Sequence, residues 1–290
     1  MKLDGNPVIR LKSTGTTAQG GSFSMVKTKK NAGSFSPEAV TSRLQKGGAL
    51  LPDMRAIVAL WEEGMEKGDP LPEIARVLPK ATLSRVKDTY TRSFRPRFLQ
   101  GTPPDAWKYV RVLEDRGAEL NVVAPFYYWL TARSEAALYG FVTECLLPAH
   151  RAGKFDVRTA DASEWLDEVN RRAGRQWTPT VTLKTARGIL AALRDFGILE
   201  GGSRKKIAPV SLNPQAFSLI AFCLVTLGVT GRAFLKHSDW KLFLLGETGV
   251  EHMCLESHQY GWIHFESAGG VVRIEFPGVT FKEYADAVLG

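Results

Sequence analysis

Few folds accept the stretch from Asp161 to Asn213, which reads helix, turn, helix and then a short basic hairpin. Asp161-Ala-Ser-Glu-Trp165 opens the first helix with a capping residue and acids in its first turn. That helix runs through Leu166, Val169 and Arg172 and breaks at Gly174. Pro179 and Thr180 precede a second helix, Val181 to Phe196, ended by Gly197. Then come Ile198-Leu-Glu200, the turn Gly201-Gly-Ser203, the run Arg204-Lys-Lys206 and a second β-prone piece, Ile207 to Leu212. A Gly-Gly turn between two β-prone pieces signals a hairpin. Helix, helix and basic hairpin in that order describe a winged helix.

At about 100° per residue, Ala186, Ile189, Leu190, Leu193 and Phe196 share one side of the second helix. Lys184, Arg187, Ala191 and Arg194 share the other. One face suits a core, while the other presents three cations and no acid. The hairpin adds Arg204, Lys205 and Lys206. Duplex DNA asks for cations on a convex, exposed element that fits the major groove. The plainer alternative is an amphipathic helix with a solvated basic face.

The chain has 290 residues, enough for two or three modest domains, and a globular hydrophobic content of 44%. Its formal net charge of +8 favours an anionic partner, nucleic acid before a membrane surface. Cys145, Cys223 and Cys254 are odd in number, widely spaced and set among apolar residues, which suits reduced thiols in the cytoplasm. The N-terminus shows no continuous apolar run of the secretory kind. The most apolar run, Ala216 to Val229, falls short of the ~20 residues a spanning helix needs and reads as a buried core helix.

Residues 1–33 carry Lys2, Arg10, Lys12, Lys27, Lys29 and Lys30 against Asp4 alone, in a Gly-, Ser- and Thr-rich context that cannot form a core. They read as a disordered basic leader, with Met25 a candidate natural start. A helical N-terminal domain is expected over 34–153, and a winged-helix domain with a terminal hairpin and helix over 154–290. Ser36-Pro-Glu38 and Leu50-Leu-Pro-Asp53 are helix starts. Leu71 to Val86 reads as a second helix-turn-helix broken at Pro79, with a longer helix whose apolar stripe is Leu83, Val86, Tyr90 and Phe94. Arg85, Arg92 and Arg95 lie off that stripe, with Lys80, Lys87 and Arg97 nearby and Asp88 the only acid. They form either a second phosphate patch or a solvated face. The run Val122 to Leu130 belongs to a core, since no cations interleave with Tyr127, Tyr128 and Trp129 as base stacking would ask. Trp262–Glu266 and Val271–Phe276 flank Ser267-Ala-Gly-Gly270 as a terminal hairpin, and Phe281 to Leu289 closes the chain as a helix.

No phosphate-binding glycine loop, dinucleotide fingerprint or nucleophile elbow occurs. His252, Cys254, His258 and His264 have a spacing that matches no common zinc pattern. Glu164, Asp167 and Glu168 read as complements to a helix start rather than as catalytic acids. No enzyme, metal or cofactor is expected.

With these residues in hand, the chain resembles the BrxA family of BREX phage-defence systems. The resemblance rests on Leu50-Leu-Pro-Asp-Met-Arg-Ala-Ile57 leading a helix, on Ala81-Thr-Leu-Ser-Arg-Val86, and on the order of helical middle and basic winged segment. The close, Val272-Arg-Ile-Glu-Phe-Pro277 followed by Phe281-Lys-Glu-Tyr284, is also similar. It implies a non-enzymatic, mostly helical DNA-binding component beside larger defence proteins, a methyltransferase among them. The family has also been labelled an inner-membrane protein, against which the short apolar run speaks.

The expectation is thus a mostly α, multi-helix protein with helix-turn-helix and winged-helix modules and short β-hairpins, cytoplasmic and without membrane insertion. It would bind double-stranded DNA with weak sequence preference. Lys184, Arg187 and Arg194 would face the groove, Arg204, Lys205 and Lys206 the backbone, and Arg85, Arg92 and Arg95 a second stretch of phosphates. The rivals are an RNA-binding helical adaptor of the antitermination type and a protein-interaction scaffold within the defence complex.

Overall fold

The computed structural model describes residues 35–79 and 82–290. The leader expected over 1–33, and Lys80 of the second basic cluster, lie outside the described residues. The chain is mostly helical, with short antiparallel strand pairs.

Two 3-10 turns, Pro37–Ala39 and Arg43–Gln45, lead into α1 (Leu51–Leu60), α2 (Leu71–Val77) and α3 (Leu83–Thr89). Pro52 and Pro72 stand in the first turns of α1 and α2, where a missing N–H breaks no helical bond. α3 runs on into a π-helical segment, Tyr90–Leu99, which holds Pro96. The buried stripe is Val86, Tyr90, Phe94 and Phe98, and the Trp61 ring lies 4.9 Å from that of Phe94. Leu83, expected to begin this stripe, is 71% exposed. It is the first residue of α3, directly after the Thr82 cap and before the helix reaches the core.

Next come α4 (Trp107–Asp115), α5 (Leu120–Ser134) and α6 (Ala136–Phe141), the last continuing through a π turn, Val142–Leu146, into α7 (Leu147–Arg151). α5 lies at the centre. Tyr127, Tyr128 and Trp129 are fully buried, so the aromatic run is core.

The stretch first singled out forms β1 (Asp156–Val157), α8 (Thr159–Arg172), α9 (Pro179–Asp195), β2 (Leu199–Glu200) and β3 (Lys205–Ile207). α8 starts two residues earlier than Asp161. The Asp161 carboxylate accepts from the Arg158 backbone N–H at 2.7 Å, so Asp161 closes the start from inside the helix. Glu164, Asp167 and Glu168 consequently lie beyond the first turn and do not complement a helix start. Thr178 caps α9, its hydroxyl accepting from the Val181 N–H, and Pro179 follows as the first helical residue. β1, which sequence reading did not anticipate, completes a three-stranded antiparallel sheet of order β1-β3-β2. Its register places Asp156 and Glu200 on either side of Lys206. The second hairpin strand falls at Lys205–Ile207 rather than Ile207–Leu212. After Ala208 donates to the Ile198 carbonyl at 3.0 Å, Pro209 has no N–H to continue the ladder.

The remainder is α10 (Pro214–Thr226), α11 (Arg232–Leu235), a 3-10 turn (Ser238–Phe243), α12 (Glu247–Gln259), β4 (His264–Ala268), β5 (Val271–Glu275) and α13 (Phe281–Leu289). α10 is buried without a break from Ala216 to Leu224, between α5, α12 and α13. Among the described residues no helix is long and apolar enough to cross a membrane. The C-terminal hairpin pairs as expected, with Phe265 opposite Ile274.

Residues 35–50 form a strap across α6, α8 and α9. The Phe35 ring lies 5.9 Å from that of Trp165, and a Cβ at position 140 would run into it, which explains Gly140. Arg175 donates to the carbonyls of Pro37 at 3.0 Å and Glu38 at 3.3 Å. Leu44 sets its carbonyl oxygen against Gly188 of α9, where any side chain would collide with backbone. The other end is held by Arg97, which donates to the carbonyls of Ala49 at 3.0 Å and Gly48 at 3.2 Å and pairs with Glu135 at 3.3 Å. Arg43 reaches the same carboxylate at 3.3 Å. Arg97 is 1% exposed, so this arginine, placed by sequence beside the second basic cluster, is a core residue. Its carboxylate partner stands 38 residues away, a contact that no local pattern reveals.

Candidate nucleic-acid interface

α9 divides as its periodicity predicts. Ala186, Ile189, Leu190, Leu193 and Phe196 are buried, while Lys184, Arg187 and Arg194 are exposed and Ala191 is half-buried. The strap covers the flank formed by Gly188 and Ala192, so the open strip is narrower than a bare helix would offer. Arg194 is held by its neighbour Asp195 at 2.7 Å. Lys184 and Arg187, one turn apart, carry no such carboxylate among the described residues. Leu183, 39% exposed, borders them.

The hairpin is less positive than three consecutive cations suggest. Lys205 is half-buried and donates its ammonium to the Gly202 carbonyl at 2.8 Å, so it shapes the turn. Lys206 is exposed, but its cross-strand neighbours are Glu200 and Asp156, an arrangement that favours the sheet and offsets its charge. Arg204 is exposed at the tip.

The second cluster lies on α3 and its π continuation. Arg85, Arg92 and Arg95 are all exposed, and Lys87 is exposed beside them. Asp88 accepts from Arg92 at 2.8 Å and also lies 3.8 Å from the ammonium of Lys46 on the strap. Sequence reading passed over Lys46, because Lys46-Gly-Gly-Ala49 has neither helical nor strand period. The strap's course between α3 and α9 is what places Lys46 beside Asp88.

Not all of the surface around α9 is basic. Glu164, Asp167 and Glu168 line an open groove between α8 and the start of α9, of about 840 Å³, together with Arg171, Arg175 and Trp177. Asp167 accepts from the Thr182 hydroxyl at 3.2 Å, and Glu168 pairs with Arg171. The groove is thus of mixed charge, unlike the strip that carries Lys184 and Arg187.

The His258 and His264 rings come together, 5.4 Å apart, at the junction of α12 and β4. Cys254 is buried on α12 while His252 and His258 of the same helix are exposed. His258 accepts from the Phe265 N–H at 3.3 Å. Burial pushes the Cys145 and Cys254 thiols up to about 12, so neither is poised as a thiolate nucleophile. Among the described residues no group of three or more His, Cys, Asp or Glu side chains could hold a metal ion.

A comparison with protein-family models matches BrxA over residues 40–222. The match begins in the strap, includes both basic clusters and the three-stranded sheet, and ends within α10. A search of curated proteins gives no match.

Proposed function

Since this chain belongs to the BrxA family, and so is a component of a BREX phage-defence system, we propose that its part there is to bind double-stranded DNA without catalysing a reaction. The supporting observation is the pair Lys184 and Arg187, exposed on the open side of α9 and free of carboxylates among the described residues, with the tip Arg204 adding to the charge and Arg194 shared with Asp195. Helix, strand, two helices and a hairpin, with sheet order β1-β3-β2, give the winged-helix reading its topology. In that geometry α9 enters the major groove and the hairpin rides on the backbone. Arg85, Arg92 and Arg95 take a second stretch of phosphates.

Lys and Arg far outnumber other polar side chains on these basic faces, so phosphate contact dominates and sequence preference is weak. Other defence proteins of the system are the natural further partners. Changing Arg204, Lys205 and Lys206 together to Glu should weaken binding to a labelled duplex by at least about tenfold at low salt. Arg204→Glu alone, at the exposed tip, should leave the melting temperature unchanged and serves as the fold control, because Lys205 shapes the turn and Lys206 lies between two acids of the sheet. Unchanged affinity of the triple variant would remove the hairpin from the interface.

A further inference from the structure

The two basic clusters are separated in sequence by about ninety residues, yet the strap lies between them. On one side, Leu44 and Gly48 rest on Gly188 and Ala192 of α9. On the other, Arg97 of the π segment fixes the carbonyls of Gly48 and Ala49. Lys46 stands between these anchors with its side chain about half exposed, and its ammonium points to Asp88. Asp88, itself partly exposed, is shared by Lys46 and Arg92.

We propose that Lys46 is a phosphate-binding residue that joins the α9 and α3 clusters into one duplex-binding surface, and that Asp88 holds Lys46 and Arg92 in competition with phosphate. The inference rests on the duplex-binding reading above and adds to it a residue and a restraint. A carboxylate bridging two cations lowers the potential a polyanion meets there. When a duplex arrives, its phosphates displace Asp88 from both partners, and the surface gains two contacts at the expense of two weak, solvent-screened pairs. The strap's rigid seat fixes Lys46 relative to α9, so the contact needs no rearrangement of the fold.

Removing the restraint should therefore strengthen binding, an effect that misfolding does not produce. Fluorescence anisotropy with a labelled random duplex, using the full chain, compares wild type with Asp88→Asn, Lys46→Gln, the double variant and Glu256→Gln. The last removes one acid from α12, which packs on α10, α11 and β4 rather than on the strap, and so controls for net charge. Asp88→Asn should bind roughly three- to tenfold more tightly at low salt, with a salt slope steeper by up to about one unit. Glu256→Gln should stay near wild type, and adding Lys46→Gln to Asp88→Asn should remove the Lys46 share of the gain and leave the share that comes from Arg92. Equal affinity of wild type and Asp88→Asn would overturn the proposal, as would a gain that Lys46→Gln leaves undiminished or that Glu256→Gln matches. Absence of wild-type binding at low salt would instead remove the duplex reading itself, a separate outcome.

Discussion

Asp239→Ala should lower the stability of the protein by about 3–5 kcal/mol, the range seen when one partner of a buried ion pair is removed. Asp239 is fully buried in the turn after α11. Its carboxylate accepts from the Trp129 indole N–H at 2.7 Å and the Tyr139 hydroxyl at 3.1 Å, and it pairs with Arg133, which is 3% exposed. Arg133 is fixed independently by the Thr102 carbonyl at 2.8 Å and by the face of Trp129, 5.0 Å away. Loss of the carboxylate therefore leaves a buried cation without its counter-charge and the Trp129 indole N–H without its acceptor. In a chain of this size the melting temperature should fall on the order of 10 °C. Asp239→Asn keeps the shape and one acceptor and should cost less. A fall of under about 2 °C in Asp239→Ala would show that the network does not hold α5 and α6 to the C-terminal elements.

Glu135→Ala should cost a similar amount, about 3–5 kcal/mol, for a different reason. Its carboxylate lies between Arg97 and Arg43, and both it and Arg97 are 1% exposed. Burial lowers the Arg97 pKa and Glu135 opposes that shift, so the pair is held by mutual compensation. With Glu135 gone, the buried Arg97 guanidinium loses its counter-charge and faces that of the partly exposed Arg43 with no carboxylate between them. The strap then loses the anchor at Gly48 and Ala49, and through it α9 loses one flank. Thermal melts should place Glu135→Ala far below Asp88→Ala, which breaks only exposed pairs worth about 0–1 kcal/mol. Equal melting temperatures for the two would contradict the structural role given to Arg97.

These pairs separate two uses of arginine that look alike in sequence. Arg97 and Arg133 are buried and hold helices together, and Arg55 forms a bidentate pair with Glu114 at 2.8 and 2.7 Å. Arg85, Arg187 and Arg204 are exposed and have no such partners among the described residues. A net charge of +8 thus overstates neither role but locates neither. What separates them is burial, which depends on contacts between distant segments.

α8, α9 and the hairpin were legible because their signals are local: a cap, a helical period and a Gly-Gly turn. The same holds for the buried α10 and the aromatic run of α5. β1 was missed because two residues are too short to show alternation. The cap of α8 was misplaced at Asp161, since an acid at the third helical position also marks a helix start, by reaching back to the backbone N–H of the residue before the helix. Leu83 was assigned to the core because its spacing fits, although its helix meets the core only a turn later. Arg97 and Lys46 escaped for one reason. The strap that buries the first and positions the second has no period, and its contacts lie with residues far along the chain.

The central claim is that an exposed basic surface around α9 binds duplex DNA through its phosphates. Fluorescence anisotropy of the unmodified chain with a labelled random duplex, repeated across a salt series, tests it most directly. The account predicts binding at low salt whose logarithm falls linearly with log salt, with a slope steeper than about −3, equivalent to roughly four phosphates. No binding at low salt, or binding indifferent to salt, would contradict it and leave the helices and hairpin as a protein-docking fold.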